Sequence, residues 1–389
     1  MIDRRDLLKA SAAFTALSRG RVLGANDRIR IAGLGTGGRG TFLLTTASKQ
    51  ENTQIVVLCD ANETRRMAAK KQLAPDGRDY LDYREVLERR DVDAVIIGAP
   101  DHWHVPMTID AVAAGKDVYV EKPISHSIEE GERVEKAVLA SKQVVQVGYQ
   151  QRSWEHFLAA REVVTAGKLG QVTLVLTSWY QDYLSGMKNR PVVDASKIDW
   201  KRFLGSAPDQ PFDALRYVRW RWFWDFGGGH LTDLYSHYGD VVHWYLGQSK
   251  PTCAQAIGGR YAIPQLECPD TINAAWDYPG FTLVYNGAVT GALDGGNIIL
   301  RGSQATMKIN RDGFGVYPEG LVRHELTRWP EPETAMQSAA DGSIAHMRNF
   351  LECVRSRQAP NAGITAAVAI ARAAHMGNQA YRQGARVTA

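Results

Sequence analysis

The 389-residue chain is poor in cysteine: its four, Cys59, Cys253, Cys268 and Cys353, are far apart, and none forms a C-x-x-C pair. That spacing excludes a zinc ribbon and a disulfide framework. Each thiol reads as a small buried apolar residue, with a Cys253–Cys268 bridge open only if folding brings the two together. Long apolar runs are also missing. The N-terminal run from Ala10 to Leu17 is too short to span a bilayer, so no stable membrane anchor is expected. No Lys/Arg-rich block occurs and the net charge of +4 is dispersed, which argues against nucleic acid as a partner. What is present, 44% apolar and 23% charged residues, is an ordinary globular composition in a chain long enough for two domains.

The first residues carry a signal of their own. Asp3-Arg4-Arg5-Asp6-Leu7-Leu8-Lys9 resembles a twin-arginine export motif. Residues 1–26 are therefore expected to be a leader and the protein periplasmic or otherwise exported. The competing reading is a cytoplasmic protein with an amphipathic N-terminal helix, because the apolar segment is mild and Arg19 and Arg21 follow it. No clean A-x-A cleavage site precedes Asn26, which leaves a retained leader open.

From Arg28 the pattern alternates strand and helix. Strands are predicted over 28–34, 55–59, 94–98, 118–120 and 144–148, and helices over 41–47, 64–73, 83–88, 108–114 and 128–141. Alternation of this kind with continuously apolar strands makes residues 27–150 an α/β unit, a doubly wound parallel sheet covered on both faces. Residues 151–389 differ: runs of strand character between 254 and 310, separated by turns such as Tyr278-Pro279-Gly280, suggest an antiparallel meander. Two amphipathic helices, 343–355 and 364–383, close the chain.

A glycine-rich segment follows the first strand. Gly33, Gly35 and Gly38 complete a G-x-G-x-x-G pattern, and Asp60 ends the second strand. In a dinucleotide-binding turn the first glycine permits the bend, the second lets backbone approach pyrophosphate and the third lets the helix pack closely. Gly33, Gly35, Thr36, Gly37, Gly38 and Arg39 are thus the expected phosphate cradle. Asp60 is suited to the ribose hydroxyls and would repel a 2′-phosphate, so NAD is favoured over NADP. A tight βα turn without a ligand is the competing reading.

Further along, GGGHLTDLYSHYGD (227–240) packs two histidines and two aspartates behind three glycines. On an α-helix His230, Asp233, His237 and Asp240 would share an arc of about 80°. A metal site is disfavoured, since the spacing is not H-E-x-x-H and no fourth ligand is evident. Asp240 is expected to satisfy a buried partner. Lys122, at the end of the strand 118–120, lies where open parallel sheets place ligands, although a solvated lysine reads equally well from position alone.

Taken together, Glu121-Lys122-Pro123, Pro100-Asp101-His102-Trp103-His104 and Gly227 to His237 resemble the E-K-P, P-N-x-x-H and G-G-G…D-x-x-x-H motifs of the glucose-fructose oxidoreductase, inositol dehydrogenase and MocA family. The resemblance runs from about residue 28 to the C-terminus, with Asp101 where asparagine is common. It implies a Rossmann domain followed by an α+β domain with an open, mostly antiparallel sheet. It also implies roles. Lys122 would hydrogen-bond the reacting hydroxyl, His237 would be the general acid/base, with a pKa near neutrality, and Asp233 would orient substrate or tune the histidine. Pro100, His104, Glu121 and Gln151 would join Lys122 at the cofactor, and Tyr149 and Arg152 would line nicotinamide and substrate.

Trp179, Tyr180, Tyr183, Tyr217, Trp220, Trp222 and Trp224 are interspersed with Gln181, Asp182, Arg219 and Arg221, a mixture suited to the apolar faces and hydroxyl edges of a sugar. Tyr180, Tyr183 and His230 are the further substrate-contact candidates. The expected function is an NAD-dependent oxidoreductase acting on a sugar or sugar derivative, with hydride transfer between a carbinol carbon and a tightly bound nicotinamide. Exported relatives of this layout include NAD-dependent glycosidases that oxidise C3 transiently, eliminate, hydrate and reduce again; His230 or Tyr149 would then be the additional base. A non-catalytic NAD-binding sensor is the reading from another class. A homo-oligomer, dimer or tetramer, is expected from the exposed sheet face.

Overall fold

The computed structural model describes residues 28–187, 191–319 and 329–389. The expected leader, 1–26, lies outside the described residues. Six parallel strands form the first sheet: β1 (Ile29–Leu34), β2 (Thr53–Cys59), β3 (Arg78–Tyr80), β4 (Ala94–Ile97), β5 (Asp117–Val120) and β6 (Val145–Val147), in the order β3-β2-β1-β4-β5-β6. This is the doubly wound order, whose winding reverses between the parallel neighbours β1 and β4 and opens a crevice at their carboxyl ends. The central strands are mostly apolar because helices cover both faces: Ile31, Leu34, Val57, Ile96 and Val120 are wholly buried.

Helix α1 (Gly38–Ser48) follows β1. The turn between them requires glycine at two places. Gly35 has φ +87°, and a Cβ there would meet the Ala99 nitrogen at 2.7 Å. At Gly40 a Cβ would lie 2.0 Å from the Gly35 carbonyl oxygen. Close packing of helix on strand is therefore carried by Gly40 and not by Gly38, which has nothing within 4 Å. Gly33 is an ordinary strand residue whose missing side chain makes room for Leu44.

Helix α2 (Glu63–Leu73) and the short α3 (Tyr83–Leu87) come next, and then α4 (Asp101–Ala113). This last begins a full two turns before the expected start at Thr108, because Pro100 caps it and Pro106 is tolerated within it. The segment Asp101 to His104 is therefore the first helical turn at the crevice. Helix α5 (Ile128–Leu139) completes the first alternation.

After α6 (Glu155–Thr165) the chain builds a nine-stranded sheet from β7 (Val172–Tyr180), β8 (Cys253–Gly259), β9 (Thr271–Tyr278), β10 (Phe281–Ala288), β11 (Gly296–Gly302), β12 (Ala305–Ile309), β13 (Gly313–Pro318), β14 (Thr334–Gln337) and β15 (Val387–Thr388). Its order is β14-β13-β12-β11-β7-β10-β9-β8-β15, antiparallel except for the parallel pair β7 and β10. Alternation along β7 buries Val175, Thr177 and Trp179 on one face and leaves Leu174, Leu176, Ser178 and Tyr180 half-buried on the other. The buried face packs on α7 (Ser236–Leu246), entered through a π-helical turn at Leu231–Tyr235. All four thiols are free and buried, so Cys253 and Cys268 are not bridged.

The closing helices α8 (Gly342–Ser356) and α9 (Ile364–Gln383) lock the two units together. Met347, Phe350 and Leu351 of α8 share one apolar cluster with Ile31, Leu43, Ile96 and Tyr119. Helix α8, which follows the second sheet in sequence, thus packs back on the core of the first.

The two glycines near the helix start should respond differently to a methyl group. Gly40→Ala is expected to cost about 1–3 kcal/mol or more, the range for overpacking, while Gly38→Ala should unfold at nearly the natural urea midpoint. Equal midpoints for the two variants would contradict this assignment.

Candidate active site

The crevice above β1 and β4 is a cavity of about 330 Å³ lined by Gly35, Gly37, Gly38, Arg39, Asp60 and Pro100 among others. Helix α1 starts here with Gly37 as a cap that has no side chain to fill the first N–H groups, and no acidic residue lies in its first turn. An anion therefore meets free donors and the positive end of the helix. Asp60 Oδ2 accepts from the Thr36 backbone N–H at 2.6 Å and its hydroxyl at 3.0 Å, and Oδ1 accepts from the Asn62 N–H at 2.8 Å. These bonds fix the carboxylate at the cavity wall with lone pairs to spare. The residues present fit a dinucleotide: donors for pyrophosphate, then a carboxylate for ribose.

Glu121 Oε1 accepts from Arg39 Nε at 2.8 Å, tying the β5 turn to the phosphate-side helix. Lys122 reaches across to the second domain. Its Nζ donates to the Asp233 carbonyl at 2.7 Å and to Asp233 Oδ1 at 2.5 Å, which leaves one ammonium hydrogen uncommitted. Arg221 Nε lies 3.3 Å from the same carboxylate oxygen. Burial raises the Asp233 pKa, but Lys122 and Arg221 outweigh it and hold the group down at about 2. Asp233 is thus the ionised anchor of a cationic site.

His237 stands one turn beyond Asp233, its ring stacked on Trp179 at 5.6 Å between centroids. Its Nδ1 lies 3.3 Å from Gln151 Oε1. With its hydrogen on Nδ1 the ring donates to this amide oxygen, and the lone pair then sits on Nε2. Burial first, then the charges of Lys122, Arg311 and Arg39, push the His237 pKa well below its ordinary value. The expected near-neutral pKa is corrected accordingly: the imidazole is an unprotonated base at neutral pH. The Gln151 amide nitrogen is buried without a hydrogen-bond partner among the described residues.

A second cavity, about 400 Å³, is lined by Trp179, Tyr183, Trp222, Asp233, His237 and Arg311 among others. Val218 and Arg221 line both cavities, so the two adjoin. Of Tyr149, Arg152, Tyr180, Tyr183 and His230, Tyr183 alone lines the second. The π-turn explains why His230 does not. An extra residue per turn rotates His230 away from Asp233 and His237, and its ring nitrogens instead meet the Tyr285 hydroxyl at 3.0 Å and the Asp270 carbonyl at 3.1 Å. His230 is a core residue, with its pKa pushed down by burial to about 4.

Other expectations need similar correction. Arg152 is not a substrate contact: its guanidinium donates to both oxygens of buried Asp240, at 2.8 and 2.9 Å. That bidentate pair also supplies the expected partner of Asp240. Tyr149 is wholly buried and lines neither cavity. Tyr180 lies on the opposite face of β7 from Trp179. His104 is a strut, not a cofactor contact, with ring nitrogens 2.6 Å from the Pro123 carbonyl oxygen and 2.9 Å from that of Ala99. Arg311 is the pocket residue that sequence reasoning missed, because a lone arginine in the turn after β12 carries no pattern.

Two family models match the chain: the NAD-binding Rossmann domain of the Gfo/Idh/MocA oxidoreductases over residues 28–149, and the C-terminal alpha/beta domain of the same family over 161–389. The chain belongs to this oxidoreductase family, a class that binds a nicotinamide dinucleotide. It is 35% identical over 159 residues to a glycosyl hydrolase family 109 protein of Shewanella sp. (strain ANA-3), an alignment covering 33% of this chain and 35% of that one. It is 30% identical over 146 residues to inositol 2-dehydrogenase of Salmonella typhimurium, covering 37% and 43% respectively. The chain thus spans less than half the length of either curated relative. Among solved structures, myo-inositol 2-dehydrogenase of Lactobacillus plantarum superposes with a TM-score of 0.70 at 20% identity, covering 93% of this chain and 99% of that one. An aldose-aldose oxidoreductase of Caulobacter crescentus gives 0.70 at 20% identity, covering 93% and 100%. These likenesses establish the shared fold.

The buried charges predict a pH response. Asp233 contributes stability that is present above its ordinary value of 3.8 and is lost as pH falls through about 2, so the pair with Lys122 is intact under mild acid. His230, depressed from 6.5 to about 4, contributes stability that is complete above 6.5 and is lost as pH falls toward 4. Unfolding free energy should therefore decline between pH 7 and 4.5, and His230→Gln should flatten that decline by about 2 kcal/mol. Parallel urea-unfolding profiles for the two proteins would refute the assignment of a neutral buried imidazole.

Proposed function

We propose that this protein is an NAD-dependent oxidoreductase that moves hydride between a carbinol carbon of a sugar derivative and a tightly held nicotinamide. One observation carries the reading: Lys122 from the Rossmann domain bonds Asp233, and Asp233 and His237 line the second cavity beside Arg221, which lines both. When bound, NAD supplies the hydride acceptor. The rest is the work of this chain's residues. His237 Nε2 takes the proton from the substrate hydroxyl, and the third Lys122 hydrogen stabilises the oxyanion that develops. Asp233 holds the lysine in place through carbonyl and carboxylate, and Gln151 keeps the imidazole in the accepting tautomer. Trp179, Tyr183 and Trp222 offer faces for the sugar ring. Asp60 supports NAD over NADP through its charge beside the ribose position.

The redox-assisted glycosidase remains the second reading, favoured by the 35% identical family 109 relative. It needs a further base, and the burial of His230 and Tyr149 removes both residues expected to supply one. A sensor without catalysis would have no use for the acid/base set. The Arg4-Arg5 motif supports export with cofactor already bound, in which case NAD is recycled in place. The half-exposed face of the nine-stranded sheet supports a homo-oligomer, dimer or tetramer.

With retained cofactor followed at 340 nm during incubation with sugars and aryl glycosides, a dehydrogenase accumulates NADH and a glycosidase releases aglycone without net change. His237→Asn and Lys122→Met should each lower the observed rate by about a hundred- to ten-thousandfold. Undiminished rates in both variants would remove the proposed roles.

A further inference from the structure

The pocket beside His237 is unusually cationic for one that would hold a neutral sugar. Arg219, Arg221 and Arg311 line it against a single carboxylate, Asp233, which Lys122 and Arg221 already hold. The Arg311 side chain makes no ion pair or hydrogen bond among the described residues; its Nε is buried without a partner and its guanidinium lies 4.8 Å from the centre of the Trp179 ring. Arg219 donates one Nη to the Gly186 carbonyl, but its Nε is likewise buried and unpartnered. Unmatched guanidinium donors cost free energy until an acceptor arrives, and their planar fork matches an oxyanion. Trp179 also stacks on His237, so a group held by Arg311 lies within a sugar's length of the base.

We propose that the substrate is an anionic carbohydrate whose carboxylate or phosphate is gripped by Arg311 and Arg219 while a ring hydroxyl faces His237 and Lys122. This inference rests on the sugar-oxidising reading above, and it adds the charge that selects the substrate. Neutral sugars enter the same pocket but leave the two arginines unpaired.

The test uses holoenzyme and the fluorescence of the pocket tryptophans, with matched sets of glucose, glucuronate and glucose 6-phosphate, and of galactose, galacturonate and galactose 6-phosphate. In at least one set an acidic member should bind about tenfold or more tightly than its neutral parent, equivalent to 1.4 kcal/mol. The uronate and phosphate arms identify which anion is preferred. Arg311→Gln and Arg219→Gln should bring that ratio toward one while cofactor content and thermal midpoint stay at the natural values. If a variant fails to fold, competition decides: inorganic phosphate should displace the bound acid from the natural holoenzyme. Equal or tighter binding of the neutral sugars, binding of none of the six, a ratio unchanged in the variants, or no competition by phosphate would each overturn the proposal. Neutral sugars that reduce the cofactor as fast as acidic ones would sink this inference and leave the oxidoreductase reading standing. Tight acid binding with no cofactor reduction would do the reverse.

Discussion

The buried contact between Lys122 and Asp233 is the constraint on which the rest of the site depends. It joins the end of a Rossmann strand to the entry of a helix in the other domain. Removing two charges from water is expensive, and such a pair persists only where geometry and further hydrogen bonds compensate. Here the ammonium bonds both the carbonyl and the carboxylate of one residue, and Arg221 adds a second cation to the same oxygen. The outcome fixes a carboxylate and, one turn on, an imidazole in the wall of the second cavity, with the ammonium bonded behind the carboxylate.

The π-turn at Leu231–Tyr235 decides which polar residues share that place. A regular α-helix would have lined up His230, Asp233, His237 and Asp240 as one stripe. The turn sets His230, which meets Tyr285 and Asp270, apart from Asp233 and His237 at the pocket, while Asp240, within the regular helix beyond it, pairs with Arg152. Such insertions are frequent at functional sites because they re-aim side chains that helix periodicity cannot. The electrostatic surroundings then set the chemistry: burial and neighbouring cations keep His237 unprotonated, and cations of the same site keep Asp233 ionised, so an imidazole base stands ready for proton removal from an alcohol.

Much of this was legible in the sequence, and the reasons for the rest are specific. Apolar strands in βα alternation and the glycine turn announce a parallel sheet with a dinucleotide crevice, since burial on both faces and a tight turn each leave local marks. Lys122, Asp233 and His237 could be chosen because they stand in spaced motifs. The division of labour among glycines was not visible: Gly40, two positions beyond the G-x-G-x-x-G pattern of Gly33, Gly35 and Gly38, makes the close helix contact because of where the chain at 35 and 98 runs. Helix α4 starts earlier than Pro106 suggests, because proline is tolerated within its second turn. The fates of His230, Arg152 and Tyr149 are set by partners 40 or more residues away or by burial, and Arg311 enters the pocket from a turn with no periodicity.

The central claim is that these residues serve hydride transfer to a cofactor the protein retains. Holoenzyme incubated with sugars deuterated at every carbon, then denatured to release its dinucleotide for mass spectrometry, tests this directly. Deuterium should appear on the nicotinamide ring with the natural chain and be nearly absent with His237→Asn. Sugar bound by the natural holoenzyme, with no deuterium reaching the cofactor, would contradict the account.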